Sequence, residues 1–344
     1  MSATIKEIAS IARVSAVTVS RALNNKPDIS AETKERILTI AKRVRYTPNS
    51  LARSMITRTT KTIGLIMPNS KDPFFAEVIH GICQKLSRHG YSTVLCTSED
   101  DADQELALMR LLQEKRVDGL LLYPLQQDER YVHELEHIGV PYVLLNRHTK
   151  ALKCDYVMND NVSGAFEAMN HLIEGGHKKI VYVCAWPKAS SAHERIMGCK
   201  QAIRSHGLPP SALQIVYCED TIESCYQLVK QLIAHNDIRA IFVWDDRMAL
   251  GALKAIHEGG LRLPQDIALV GYDGIEISAH LFPPLTTVLQ PSLQIGETAA
   301  KILLERLESK DKSEPKHVVL KPRLVVRETT RVVSSRWDCS VPGH

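Results

Sequence analysis

No stretch of this sequence is long enough to cross a membrane. Its apolar runs, residues 63–67 and 119–123 among them, fall far short of the roughly 20 residues a spanning helix needs. The N-terminus lacks a positively charged start followed by an apolar core and a cleavage site, so no export signal is visible and a cytoplasmic location is expected. Eight cysteines are scattered without a C-x-x-C or a Cys/His group at metal spacing. They read as free, mostly buried thiols; Cys218 and Cys225 are near neighbours in sequence, but nothing selects them as a pair. There is no G-x-S-x-G, no phosphate-cradling P-loop and no H-E-x-x-H, so the usual hydrolase, nucleotidase and zinc-protease signatures are missing. No cofactor and no metal site is expected. No C-terminal heptad run is evident, which favours a dimer over a tetramer.

What is present is an asymmetric charge. The 344 residues are 44% hydrophobic and 24% charged, ordinary for a globular chain with a small and a large domain. The net charge of +4 conceals a basic N-terminal segment. Residues 1–61 hold twelve Lys/Arg and four Asp/Glu, or +8, which leaves −4 for the remainder. A basic arm on a mildly acidic body is the electrostatic pattern of a nucleic-acid binder.

That arm carries a helix-turn-helix pattern. Thr4, with Glu7 three residues on, makes a capping-box helix start, and Ile5, Ile8 and Ala9 give one buried face. Val14 falls in a turn. Ser15 caps a second helix whose inward face is Val19, Ala22 and Leu23. Its outward face carries Ala16, Val17, Thr18, Ser20, Arg21 and Asn24: small residues that permit close approach, hydroxyls for phosphates and an Arg for guanine. Ser30 caps a third helix with an apolar stripe of Ile37, Ile40, Ala41 and Val44, while Lys34, Lys42, Arg43 and Arg45 point outward.

The combination of Thr4-Ile5-Lys6, Val14-Ser15, Thr18-Val19-Ser20-Arg21, Leu23-Asn24, Tyr46, Pro48-Asn49 and Leu51-Ala52-Arg53-Ser54 resembles the DNA-binding headpiece of LacI/GalR-family bacterial transcription regulators. The resemblance implies that Thr4, Ser15, Ala16, Val17, Thr18, Ser20, Arg21 and Asn24 meet DNA. It also implies that Asn49, Ala52 and Met55 belong to a hinge entering the minor groove, with Met55 as the apolar wedge. One departure is Arg13, where the family often has Gly; a positive φ there costs Arg about 1 kcal/mol relative to Gly.

From Lys61 the pattern changes to short apolar β-branched runs alternating with helical stretches. One series runs through residues 63–67, 93–97, 119–123 and 142–145, and a second through 180–184, 215–217, 240–244 and 268–271. Repeated βα units imply parallel sheets covered on both faces, and the strand number implies two lobes. The tail from Thr286 reads as return crossings, with a helix at 294–307 and a final strand pair near 318–327.

The expected division is a headpiece at 1–48, hinge and linker at 49–61, a core at 62–334 and a frayed tail at 335–344. Within the core, lobe one comprises about 62–159 and 291–320, and lobe two about 160–289 and 322–334. Gly64-Leu65-Ile66, Asp72-Pro73-Phe74-Phe75, Val117-Asp118-Gly119, Asp246 with Met248-Ala249-Leu250-Gly251, Gly271-Tyr272-Asp273 and Pro284-Leu285-Thr286-Thr287 resemble the periplasmic-binding-protein-like core of the same family.

Ligands of open α/β sheets bind beyond the carboxyl ends of the strands. That rule selects Asn69, Asp72, Phe74 and Phe75 after the first strand, and Asn146 and Arg147 after the fourth. It also selects Arg195 after Cys184, Asp245 after Trp244, and Asp273 after Tyr272. By the resemblance, Asn146, Arg195, Asp245 and Asp273 match effector contacts, although Asn is common at the position of Asp245. Carboxylates, amides, Arg forks and aromatic faces suit a polyhydroxylated ligand, and Arg147 with Arg195 suit a sugar acid. The simpler role for Asp246 or Asp273 is to cap a helix, and for Arg195 to close the lobes by an ion pair.

The expected protein is a homodimeric repressor of a carbohydrate operon, not an enzyme, released from pseudo-palindromic operator DNA by a sugar or sugar-acid inducer. The alternative is the same fold working with a corepressor, a nucleobase or a phosphoprotein.

Overall fold

The computed structural model describes residues 4–46, 59–125, 129–148, 151–235, 238–309 and 314–331. The chain forms two compact units, residues 1–60 and 61–344. The hinge residues Asn49, Ala52 and Met55 and the tail 335–344 lie outside the described residues.

The small unit is three helices, α1 (Ile5–Ala12), α2 (Ala16–Leu23) and α3 (Ala31–Arg43). Each begins at the hydroxyl the sequence offers. Thr4 accepts from the Glu7 amide, Ser15 from Thr18 at 3.0 Å, and Ser30 from Thr33. The core joins Ile8, Ala9 and Ala12 to Val19, Ala22, Ile37 and Ala41, with Val14, Leu23, Ile40 and Val44 packed around it. The turn between α1 and α2 places Arg13 at φ 52° and ψ 46°, the left-handed region that favours Gly.

The large unit contains two six-stranded sheets. The first has the order β11-β5-β4-β3-β1-β2, with β1 (Thr62–Met67), β2 (Ser92–Thr97), β3 (Gly119–Leu122), β4 (Tyr142–Leu145), β5 (Asp155–Asn159) and β11 (His317–Leu320). Every pairing in it is parallel. The second has the order β12-β10-β9-β8-β6-β7, with β6 (Ile180–Cys184), β7 (Leu213–Tyr217), β8 (Ala240–Val243), β9 (Ala268–Asp273), β10 (Thr286–Leu289) and β12 (Arg323–Val325). Its one antiparallel pairing is β10 with β12. The central strands, such as β3 and β8, are buried along their whole length, as expected for parallel strands with helices on both faces.

The chain passes from one sheet to the other after β5, after β10 and after β11. Two sequence expectations change here. The final strands are not a pair: β11 adds to the first sheet beside β5, and β12 to the second beside β10. Residues 286–289 are a buried strand of the second sheet as well as the approach to a crossing. Where the Pro73–Ser87 helix meets the Ser292–Glu308 helix, glycines allow backbone contact. A Cβ on Gly81 would stand 2.4 Å from the Leu293 carbonyl oxygen, and one on Gly296 would stand 2.2 Å from that of Val78. Arg306 holds the buried Asp155 carboxylate with two bonds of 2.7 and 2.8 Å, tying the last long helix to β5.

Candidate functional site

In the headpiece, α2 keeps Val19 and Ala22 inward and leaves Ala16, Val17 and Arg21 exposed, with Thr18 and Ser20 half-buried. Val17 is 64% exposed, unusual for a β-branched apolar side chain, and stands beside hydroxyls. The Ser15 hydroxyl also bonds the Thr18 hydroxyl at 2.8 Å, so the helix start presents two linked oxygens. Asn24 turns its amide back to the Ser20 carbonyl at 2.8 Å. Arg21 pairs with Asp28 at 3.0 Å, with both side chains largely in solvent. Such a pair contributes about 0–1 kcal/mol and does not hold Arg21 against a stronger partner.

In the core, all nine residues selected from strand ends line one cleft: Asn69, Asp72, Phe74, Phe75, Asn146, Arg147, Arg195, Asp245 and Asp273. Its space, counted to the open mouth, is about 520 Å³. Asn69 accepts from the amides of Lys71 and Asp72, forming the turn that leads into the next helix. Asp72 caps that helix through the Phe74 amide at 2.9 Å. Phe74 and Phe75 are both buried, and both line the cleft; Phe75 meets Tyr123 edge to face with ring centres 4.9 Å apart. Asn146, at φ 54°, accepts from the Asn159 amide and donates to Gln290. Gln290 in turn donates to Asp273 at 2.5 Å.

The simpler structural roles weighed for Arg195, Asp246 and Asp273 are not the ones they take. Arg195 does not close the lobes. It lies flat on Tyr272, with its guanidinium carbon 3.5 Å from the ring centre, and donates to the Trp244 carbonyl at 2.6 Å and to Asn161. Its carboxylate neighbour, Asp273 at 4.0 Å, belongs to the same lobe. The arginine that crosses is Arg247, at the start of the Asp246–Glu258 helix. It bonds Asp220 at 2.7 Å and Asp245 at 3.3 Å in lobe two, and reaches Asp72 of lobe one at 3.6 Å.

Asp246 caps no helix; Asp245 does, accepting from the Met248 amide. Asp246 accepts instead from the Thr287 hydroxyl at 2.6 Å and the Ile275 amide at 3.0 Å, fixing β10 and the loop after β9. Gly271 supplies the room, since a Cβ there would fall 2.1 Å from the Asp246 carboxylate. Asp273 is no cap either; it sits at φ 98° with its carboxylate toward Gln290.

The strand-end rule also reaches residues that were not selected: Asp100, Tyr123, Asp220, Trp244 and Gln290 each follow a strand and line the cleft. Trp186, on the loop after β6, donates to Asp220 at 2.9 Å. Asn161 and Ser191 come from helix starts that only the fold brings here. Arg247 carried no sequence signal, because its link to Asp72 exists only across the lobes.

Burial dominates the electrostatics. It pushes the Asp273 carboxyl up to about 7, against the opposing pull of Arg195. Burial raises Asp245 well above the usual range, and Asp220 and Asp273 add to the effect. Asp72 rises through burial, with Arg247 opposing. Asp100 rises through burial and the nearby Asp220. Burial works against the charge on Arg247, but Asp245, Asp220 and Asp72 more than offset it and raise its pKa.

A helix-turn-helix unit followed by a two-lobed α/β core with a polar cleft defines the class of DNA-binding regulators that carry a small-molecule site. Residues 4–49 match the family of bacterial regulatory proteins of the lacI type, and residues 60–328 match the family of periplasmic binding proteins and sugar binding domains of the LacI family. Among relatives, the HTH-type transcriptional repressor PurR of Aliivibrio salmonicida is 36% identical over 330 residues, covering 95% of this chain and 98% of that protein.

Among solved structures, the transcriptional regulator CelR in complex with cellobiose is 31% identical. Its TM-score is 0.73, over 95% of this chain and 99% of that one. The Lac repressor dimer bound to operator and the anti-inducer ONPF is 26% identical with a TM-score of 0.88, over 96% and 100%. The chain belongs to the LacI family: it is a DNA-binding transcriptional repressor and not an enzyme. No helix among the described residues is long and apolar enough to cross a membrane.

Proposed function

We propose that this repressor acts in the cytoplasm as a homodimer on a pseudo-palindromic operator, and that a sugar held in the core cleft releases it. The observation that carries the ligand reading is the makeup of the cleft. Carboxyl, amide and guanidinium groups from both lobes line the cleft together with Phe74, Phe75, Tyr123, Trp186 and Trp244. Vicinal hydroxyls match the polar set, and the C–H side of a sugar ring matches the aromatic faces.

The sugar-acid variant loses support. Arg147 is committed to the carbonyls of Pro124 and Leu125, Arg195 to that of Trp244, and acidic groups surround both. On the DNA, Arg21 with Ala16 and Val17 reads base edges, while Ser15, Thr18 and Ser20 hold phosphates, with Thr4 and Asn24 at the margins. The hinge residues Asn49, Ala52 and Met55 complete the reading as the minor-groove element. Exposed apolar residues on the edge strands, Val94 and Leu95 on β2 and Tyr217 on β7, together with Phe282 at 99% exposure, support association of two copies.

The second reading keeps the fold and makes the ligand a nucleobase corepressor. Stacking surfaces in the cleft and the relatives named PurR favour it. A thermal-shift screen against sugars, sugar acids, nucleosides and nucleobases separates the two. A ligand at about 100 times its Kd stabilises the fold by about 2.7 kcal/mol. A sugar that raises the melting point and lowers operator affinity is expected. A nucleobase that raises both would overturn the inducer reading.

A further inference from the structure

The cleft gathers five carboxyl groups, Asp72, Asp100, Asp220, Asp245 and Asp273, around three guanidinium groups, Arg147, Arg195 and Arg247. Three of the carboxyls are crowded: oxygens of Asp72, Asp245 and Asp273 lie within 4.8 Å of one another. Those residues are 7%, 3% and 8% exposed. The nearby cations meet them only partly. Arg247 stands 3.6 Å from Asp72 while bonding Asp220 more closely, and Arg195 stands 4.0 Å from Asp273 while donating to Trp244 and Asn161. Carboxyl groups therefore outnumber guanidinium groups here, and burial holds the crowded ones toward their protonated form as long as no further cation joins them.

A second observation concerns donors. The Ser191 hydroxyl lines the same cleft on a residue only 4% exposed and has no hydrogen-bond partner among the described residues. The buried Nε of Arg147, which lines the same cleft, has no hydrogen-bond partner among the described residues either. Buried polar atoms are normally paired, so these point to ligand oxygens. A neutral sugar meets the donors and leaves the acidic excess. A sugar acid or sugar phosphate adds to that excess.

Resting on the sugar reading above, we infer that the ligand is a polyhydroxylated molecule with a protonated amino group, an amino sugar. Its ammonium lies among Asp72, Asp245 and Asp273, and its hydroxyls accept from Ser191 and the Arg147 Nε. Asp72 belongs to lobe one and the other two carboxyls to lobe two, so one ammonium would join both lobes, as Arg247 does. The same three carboxyls could instead take a divalent cation, and the test separates the two.

Calorimetric titration of the full-length protein at constant ionic strength would use glucose, galactose and mannose, each beside its 2-amino analogue and its uronic acid, with calcium chloride alone as a further arm. In at least one series the amino sugar should bind about tenfold more tightly than its neutral parent, which is a difference of about 1.4 kcal/mol. The acid should bind worst. Asp72→Asn keeps a good helix cap. It should abolish the difference in affinity between the amino sugar and its neutral parent, whatever the two affinities become, and circular dichroism should show the fold retained.

A neutral or acidic sugar binding as tightly as the amino form would overturn the inference and leave the sugar reading intact. So would an amino preference that survives Asp72→Asn, or calcium binding without amino-sugar binding. No binding by any sugar in the panel would overturn both.

Discussion

The two working surfaces of this protein solve opposite problems. The α2 face of the headpiece is made of exposed residues three or four apart in sequence, and its one ion pair, Arg21 with Asp28, is open to solvent. The core cleft draws its residues from both lobes, and its carboxyls are buried and shifted from their ordinary values. On the proposed reading, DNA phosphates come to the first surface as a dense external charge, so that surface needs only to present donors. On the reading proposed above, the second surface must desolvate a small ligand, and its crowded carboxyls are met only partly by Arg195 and Arg247 until one arrives.

This contrast predicts different responses to mutation and pH. Arg195→Ala should have the largest effect. It removes a buried cation from Asp273, the Trp244 carbonyl and the Tyr272 face, and should cost the core about 3 kcal/mol or more. Urea unfolding followed by tryptophan fluorescence would measure it, and an unchanged core midpoint would show that Arg195 does not organise the cleft.

The pH response comes next. The folded state raises the Asp273 carboxyl from its ordinary 3.8 to about 7 and so favours the protonated form. Its contribution is complete below the lower value and is lost as pH rises through the upper one. Asp273→Asn, which cannot ionise, should therefore gain in melting temperature over the parent protein as pH rises from about 4 to about 7, and level off above that. A difference that stays flat with pH would contradict the raised value.

Arg21→Ala should cost about 1–3 kcal/mol of operator affinity and relax base preference, while the core melts as before. Unaltered base preference would remove Arg21 from the reading set. The smallest change should come from Arg13→Gly. It relieves a left-handed backbone and should stabilise the headpiece by up to about 1 kcal/mol, read from its own thermal transition. A loss of stability there would mean that the Arg13 side chain contributes more than its backbone costs.

The sequence by itself determined the parts that rest on local rules. Hydroxyl caps at Thr4, Ser15 and Ser30, the buried stripe of α3 and the βα alternation are set by neighbours a few residues apart, and all are visible without coordinates. Cleft residues at strand ends were accessible for a similar reason, because a parallel sheet always presents that edge. The tertiary structure alone decided which distant groups share a charge. It gave the helix cap to Asp245 and an internal tie to Asp246, kept Arg195 within one lobe, and sent Arg247 across to Asp72. It also separated the last two strands into different sheets. Those outcomes depend on burial and on contacts between residues dozens of positions apart, and 175 apart (247 − 72) for Arg247 with Asp72, which neither periodicity nor spacing encodes.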